Sequence, residues 1–388
     1  MLRIIKCIGL FLLLGLFSCG FVDNEEAREY TKKADSIRHQ SSKRREAIEL
    51  YTKAIEADPD YLPAYEGRGL TRLDMNIPEK GVVQDFNKVI ELDPDRIEAF
   101  KYRARAHGSQ WNQNAANLDW EHYLKFKPKD RITLNHLCFG YNRVGKFKKA
   151  VERCTQYLKK EPGYNGLIQR GDAYIFLSQF DKALKDFNQA LSNNSDGGIK
   201  AIVLFRRAKA YCGLGKSKLC LQDLEQSLKL QPNKMVSYYR GFVYFYLKEY
   251  EKAGNDFNVL LAENRERHFI TNTYPALWMY LVDKILKRDT PKLIEELKAM
   301  SFDSSWPSPI FSLFEEEITP EELLKHAVDK DDRNANRKKG EAYFYIGQHF
   351  LSKGNKAEAN KWFQKLFDAQ IGMRLNEINT AQLAMALT

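Results

Sequence analysis

The chain has 388 residues, enough for two or more ordinary domains or for one extended repeat array. Its 44% apolar, 12% aromatic and 29% charged residues exclude a largely disordered chain, and 22 Gly and 12 Pro exclude a collagen-like or low-complexity one. Sixty-one Lys+Arg against 51 Asp+Glu give a net charge of +10, which suits anionic partners without naming one.

The N-terminus reads as an address. Arg3 and Lys6 form a basic head, and the apolar run from Ile8 to Phe17 is too short to span a bilayer of about 30 Å as a helix. It ends in Leu16-Phe17-Ser18-Cys19. That ending resembles the lipobox of bacterial lipoproteins, with a Leu three before the Cys and a small residue directly before it. The resemblance implies a signal peptide over residues 1–18, cleavage before Cys19 and acylation of Cys19 by chains of the palmitate kind, more than the marginal anchor of one chain. Loss of Arg3 and Lys6 leaves a charge of +8. Gly20 after the Cys implies, by the same analogy, the outer membrane facing the periplasm. Residues 19–29 read as the lipidated Cys and a short polar tether.

Residues 30–264 carry a beat. Prolines stand at 59, 94, 128, 162 and 232, and Asn194-Ser-Asp-Gly-Gly198 fills the one missing place. Inside each period an aromatic or apolar residue, a small residue and an aromatic precede Ala-x3-aromatic-x2-Ala. The clearest copy is Leu167, Gly171, Tyr174, Phe180, Ala183, Phe187 and Ala190. Helical spacing holds throughout. Small residues let paired helices approach, and each proline ends the second helix. The first two copies carry a one-residue insertion near the turn between helices. This grammar resembles the tetratricopeptide repeat (TPR), in about seven copies. The fold class expected is all-α, a TPR α-solenoid wound as a right-handed superhelix, with a helical C-terminal cap region.

After Asn264 the beat stops. Residues 265–338 read as a helical connector: a helix over 273–286, another over Pro291–Met300, a loop around Trp306-Pro, and a helix opened by Thr319-Pro-Glu-Glu. Residues 339–388 read as a further TPR-like hairpin (Tyr343, Gly347, Phe350, Ala359, Phe363) and a capping helix over Asn376–Leu387. Leu277-Trp-Met-Tyr-Leu281, Trp306-Pro and Glu341-Ala-Tyr-Phe-Tyr-Ile-Gly-Gln348 are similar to the C-terminal part of NlpI-type lipoproteins. That family is usually shorter, and often has a Gly where Phe314-Glu-Glu-Glu317 stands. The resemblance implies a non-catalytic adaptor, often a homodimer, that docks envelope proteases and peptidoglycan hydrolases.

Candidate chemistry is sparse. Cys212-Gly-Leu-Gly-Lys-Ser217 ends like a phosphate loop, but Ala210 stands where the first Gly is needed and a helix precedes it. The seven His show no ligand spacing, and no hydrolase motif is present. Neither enzyme, cofactor nor metal is expected, and the compartment disfavours nucleic acid. Cys138 with Cys154 and Cys212 with Cys220 each span one hairpin: either disulfides or small packing residues.

In TPR proteins the second, fifth, ninth, twelfth and thirteenth positions of the first helices line a groove. Carried onto this chain, that rule nominates Lys101, Arg105, Asn135, Phe139, Asn142, Asp172, Phe176, Phe205, Lys209, Tyr238 and Phe242. Aromatics and Arg are the usual interface anchors, though some of these aromatics are expected to pack within the array. The leading reading is a lipid-anchored scaffold that binds envelope proteins or peptide segments of them. The alternatives are an assembly factor for an outer-membrane or pilus complex, and an envelope hydrolase or polysaccharide binder using residues 268–335.

Overall fold

The computed structural model describes residues 25–75, 80–192, 196–263, 269–288, 306–330, 332–369 and 384–385. These are α-helical, with no strand among the described residues. The chain divides into two compact units, Met1–Asn112 and Gln113–Thr388. The division falls inside the copy that runs from Phe100 to Pro128.

The first unit holds α1 (Glu25–Ile37), α2 (Arg44–Ala57), α3 (Leu62–Asp74), α4 (Lys80–Leu92) and α5 (Ile97–Ser109). Each helix packs on the next, α1 also touches α3, and α3 touches α5. Helix α1 begins inside the stretch read as tether. Its small residues Ala27, Thr31 and Ala34 recur at helical spacing and are buried, a stripe too slight to stand out in sequence.

The second unit opens with α6 (Gln113–Phe126) and then runs in hairpins: α7 (Arg131–Arg143) with α8 (Phe147–Leu158), and α9 (Tyr164–Phe176) with α10 (Phe180–Ser192). The next pairs are α11 (Gly197–Gly213) with α12 (Ser217–Leu230), and α13 (Lys234–Tyr246) with α14 (Tyr250–Glu263). The connector contributes α15 (Phe269–Leu286), α16 (Pro309–Phe314) and α17 (Pro320–His326), the last with a complete Thr319/Glu322 capping box. The final hairpin is α18 (Asp332–Ser352) with α19 (Lys356–Asp368), so the hairpin takes in residues 332–338, read as connector. The helix expected over 291–300 and most of the expected capping helix lie outside the described residues.

Two contacts recur in these hairpins. The first is a small residue under an aromatic ring. A methyl group on Gly171 would sit 2.6 Å from the Phe187 ring, and one on Gly241 would sit 2.6 Å from Phe257. Gly69 lies under Phe86 in the same way, and Gly347 under Phe363. The second contact is not evident from sequence. One residue before the small one stands an Arg that forks onto an Asp of the second helix: Arg68 with Asp85, Arg170 with Asp186, Arg207 with Asp223, and Arg240 with Asp256, at 2.7–2.8 Å. The Asp side chains are 1–7% exposed. The pairs are sixteen residues apart, except the first at seventeen, which carries the one-residue insertion.

The turn between the helices of a pair is equally regular. Gly145, Gly215 and Gly354 adopt φ of 71°, 70° and 78° there, while Ser178 and Lys248 hold the same left-handed conformation with side chains, at 54° and 64°. The Gly-Lys-Ser segment read as an incomplete phosphate loop is this turn.

These contacts carry two expectations for stability. Asp223→Ala removes the carboxylate from Arg207, leaving its guanidinium only the Asn188 amide oxygen, and should cost about 2–4 kcal/mol, read as a lower urea midpoint at constant slope. Ser178→Gly relieves a left-handed side chain and should raise stability by about 0.5–1 kcal/mol; a lower melting temperature would refute the strain at this turn.

Candidate functional site

The nominated residues divide between the two units. In the first, Lys101 is paired with Glu98 at 3.4 Å and lies over the Tyr102 ring, whereas Arg105 is exposed.

In the second unit α7 packs on α9 and α9 on α11, so the free sides of these first helices join into one surface. Asn135 is exposed there, and Phe139 is 44% exposed with the Arg143 guanidinium 5.6 Å from its ring. Three nominees serve packing instead. Asn142 donates to the Gln169 carbonyl at 2.8 Å and ties α7 to α9. Tyr238 and Phe242 are 9% and 4% exposed: their rings pack with Phe257, and Phe242 also with Trp278, so they belong to the core and not to a groove. The physical reason is α15, which succeeds the repeats and lays Trp278 against the face that α13 would otherwise leave open. Phe176 is half-buried and stacked on Phe147 at 4.3 Å.

The polar centre of this surface lies between α9 and α13. Asp172 of α9 accepts an ion pair from Arg206 of α11 at 3.2 Å. Lys209, one turn on from Phe205, is 6% exposed, with its ammonium 4.5 Å from the centre of the Phe205 ring and 5.5 Å from that of Tyr239 on α13. Its charged neighbours are Arg206 and Asp172, and the buried Arg206 Nε makes no hydrogen bond. Burial, with Arg206 adding to it and Asp172 opposing, pulls the Lys209 pKa down to about 7. Burial raises that of Asp172, against Arg206 and Lys209. Asp172, Arg206 and Lys209 thus form a largely buried charged cluster walled by the Phe205 and Tyr239 rings. Arg206 is absent from the nominated set because its position faces sideways in the family rule; the adjacent Arg206-Arg207 was the available signal.

Both cysteine pairs are bonded, Cys138 to Cys154 and Cys212 to Cys220. Cys19 lies outside the described residues. Near Trp306, in the stretch where a hydrolase or polysaccharide site would have to lie, buried Glu341 accepts from Trp306 Nε1 at 2.6 Å, Arg337 Nη1 at 2.8 Å and the Tyr274 hydroxyl. Three donors on one carboxylate make a structural junction of α15, the Trp306 turn and α18. Among the described residues no His, Cys, Asp and Glu cluster has the makings of a metal site, and no helix is long and apolar enough to cross a membrane.

The folded chain releases the Lys209 proton near neutrality, while the unfolded chain keeps it into the ordinary lysine range. The cost of burying the ammonium is therefore present below about pH 7, and stability rises with pH between about 7 and 10. Urea midpoints of wild type and Lys209→Met across that range should show a rise in the first that is missing from the second; equal slopes would refute the buried ammonium.

The tetratricopeptide-repeat family model matches residues 164–196, the hairpin of α9 and α10. The Hsp70-Hsp90 organizing protein of Triticum aestivum is 28% identical over 218 residues, 53% of this chain and 36% of that protein. Tetratricopeptide repeat protein 6 of Homo sapiens is 24% identical over 60% of this chain and 38% of its own length, so the match spans little more than a third of either relative. The Lipoprotein NlpI homolog of Haemophilus influenzae is 26% identical over 212 residues, 44% of this chain and 65% of that one. Among solved structures, a tetratricopeptide repeat protein from Parabacteroides merdae covers 75% of this chain and 99% of its own at 17% identity, with a TM-score of 0.43. The crystal structure of MamA protein covers 43% and 91% at 24% identity, with a TM-score of 0.40. Residues 164–196 are thus a tetratricopeptide repeat, and with the hairpins that share its spacing they make the fold an all-α array of such repeats, a module that mediates protein–protein interaction.

Proposed function

We propose that this chain is a non-catalytic adaptor of the bacterial cell envelope, lipid-anchored through Cys19, whose repeats bind a peptide segment of an envelope protein. The observation that carries the binding half is the Asp172/Arg206/Lys209 centre with its Phe205 and Tyr239 walls. An acidic side chain drawn to this centre makes charging Lys209 favourable, since a desolvated cation gains most from a paired anion. Exposed Asn135 and Phe139 extend the contact along α7.

The anchor and compartment rest on sequence: the basic head, the short apolar run and the ending Leu16-Phe17-Ser18-Cys19. Two bonded cysteine pairs support an oxidising compartment such as the periplasm. The likeness to a Lipoprotein NlpI homolog favours the same address; proteases or peptidoglycan hydrolases as partners and a homodimer as the assembled form complete the proposal. Outer membrane, facing the periplasm, is the location that agrees with Gly20.

Crosslinking in intact cells separates the two halves. Wild type should fractionate with membranes and capture one or a few envelope proteins. Wild type should incorporate labelled palmitate and Cys19→Ala should not, while Arg206→Glu/Lys209→Met should keep the label and stay with membranes but lose the partners. Label uptake by Cys19→Ala, or none by wild type, overturns the anchor; unchanged partners in the double variant overturn the binding centre.

A further inference from the structure

In the second unit, short loops carry the chain from the second helix of one hairpin into the first helix of the next. Because α6 packs on α7, α8 on α9, α10 on α11 and α12 on α13, these loops fall along one edge. An ion pair between Arg131 and Glu161 joins the start of α7 directly to the loop before α9. Two of the loops end in matched apolar pairs. Phe126 is the last residue of α6 and Ile132 the second of α7, and both are more than half exposed, at 54% and 52%. Leu230 and Met235 hold the same two places at the end of α12 and the start of α13, each 44% exposed.

The same edge carries free positive charge. Lys125, Lys127 and Lys129 surround the first loop, Lys159 and Lys160 the second, and Lys229 the last. All six are exposed, and none has an ion-pair partner among the described residues. The carboxylates beside them are occupied. Asp130 accepts from the Thr133 N–H at 2.7 Å and Asp196 from the Ile199 N–H at 2.8 Å, each capping its helix, and Glu161 is held by Arg131. The opposite edge is also basic, with Lys146, Lys148 and Lys216 exposed in the turns within hairpins. It differs in apolar content: across the four turns from α7–α8 to α13–α14, Leu219 alone is comparably exposed.

We propose that the loop edge of the second unit lies against an anionic lipid bilayer, with Phe126, Ile132, Leu230 and Met235 entering between headgroups and the lysines lying at the level of the phosphates. Apolar tips ringed by lysines combine the two forces that hold a protein at such a surface, burial of hydrocarbon and attraction to anionic lipid. Lysine stems add to the apolar depth while their ammonium groups stay in water. Lipid suits this edge better than a protein does. The two apolar pairs are separated by the loops before α9 and α11, and a bilayer closes around each tip by itself, whereas a protein partner needs one continuous matching surface. The proposal rests on neither the acylation of Cys19 nor the Asp172/Arg206/Lys209 centre.

The test uses the full chain without residues 1–19, which keeps every described residue and carries no acyl group. Flotation should show binding to vesicles of phosphatidylcholine and phosphatidylglycerol in equal parts, and binding at least about tenfold weaker to phosphatidylcholine alone. Each lysine at an anionic surface adds about fivefold, so Lys127→Glu/Lys129→Glu/Lys160→Glu should weaken binding about 100-fold or more. Phe126→Ser/Leu230→Ser should weaken it about tenfold. Lys146→Glu/Lys148→Glu/Lys216→Glu makes the same charge change on the opposite edge. At about 0.1 M salt, where charges more than about 10 Å from the lipid are screened, it should bind within about twofold of wild type. All these side chains are exposed, so thermal melts of the variants should match wild type. No binding to either vesicle, equal binding to both, equal loss in the opposite-edge variant, full binding by Phe126→Ser/Leu230→Ser, or capture of a Glu-rich peptide without the anionic vesicles overturns the proposal.

Discussion

The array depends on how closely the two helices of a hairpin can approach. A ring from the second helix must lie flat over the backbone of the first, and only a residue without bulk permits it, as Gly171 does under Phe187 and Gly241 under Phe257. The Arg–Asp fork one residue away sits at the edge of this contact and sets the register: a slip of one residue would leave a nearly buried carboxylate unpaired. In the α7–α8 hairpin the same two positions hold Cys138 and Cys154, and a covalent bond replaces the ring-over-glycine contact. There the ionic partner changes as well. Arg153 occupies the place of the usual Asp and turns to Glu121 of α6, at 2.8 Å, so the charge pairing links one helix pair to the helix before it.

These contacts explain which parts of the fold are legible in sequence. A 34-residue period written in Gly, Ala, aromatics and Pro can be read because each residue type is demanded by sterics at a fixed place. The Arg–Asp fork is equally periodic but passes unread, since charged residues on helices are ordinarily solvated and sixteen-residue spacing has no meaning until the hairpin is drawn. The candidate surface is legible in part. Phe139 is exposed, whereas Lys209, nominated for an open groove, is only 6% exposed; the burial of α13 depends on the helix that succeeds the repeats, and no local pattern reports that Trp278 will cover Phe242. Asn142 shows a second limit: a short amide at a groove position can equally reach across to the next helix, here to Gln169.

Recognition therefore has to use the positions that packing leaves over. Within a repeat the small residue, its ring, the Arg–Asp fork and the left-handed turn are occupied by the fold, and changing them alters stability before it alters binding. The remaining places on the first helices differ from copy to copy, and in α11 they hold Phe205, Arg206 and Lys209, of which the last is buried at a cost. A chain selected for stability alone would place an apolar residue there. At the C-terminal end the periodic contacts give way to α15–α17, three helices of unequal length that cannot close evenly on α13 and α18. A cavity remains there, lined by Phe245, Leu281, Phe314 and Gln348. Unsatisfied buried polar atoms are not confined to such places, since Thr31 and Thr133 hold them inside hairpins; what sets the α11 position apart is the burial of an ammonium among aromatic rings, a cost that packing alone does not explain.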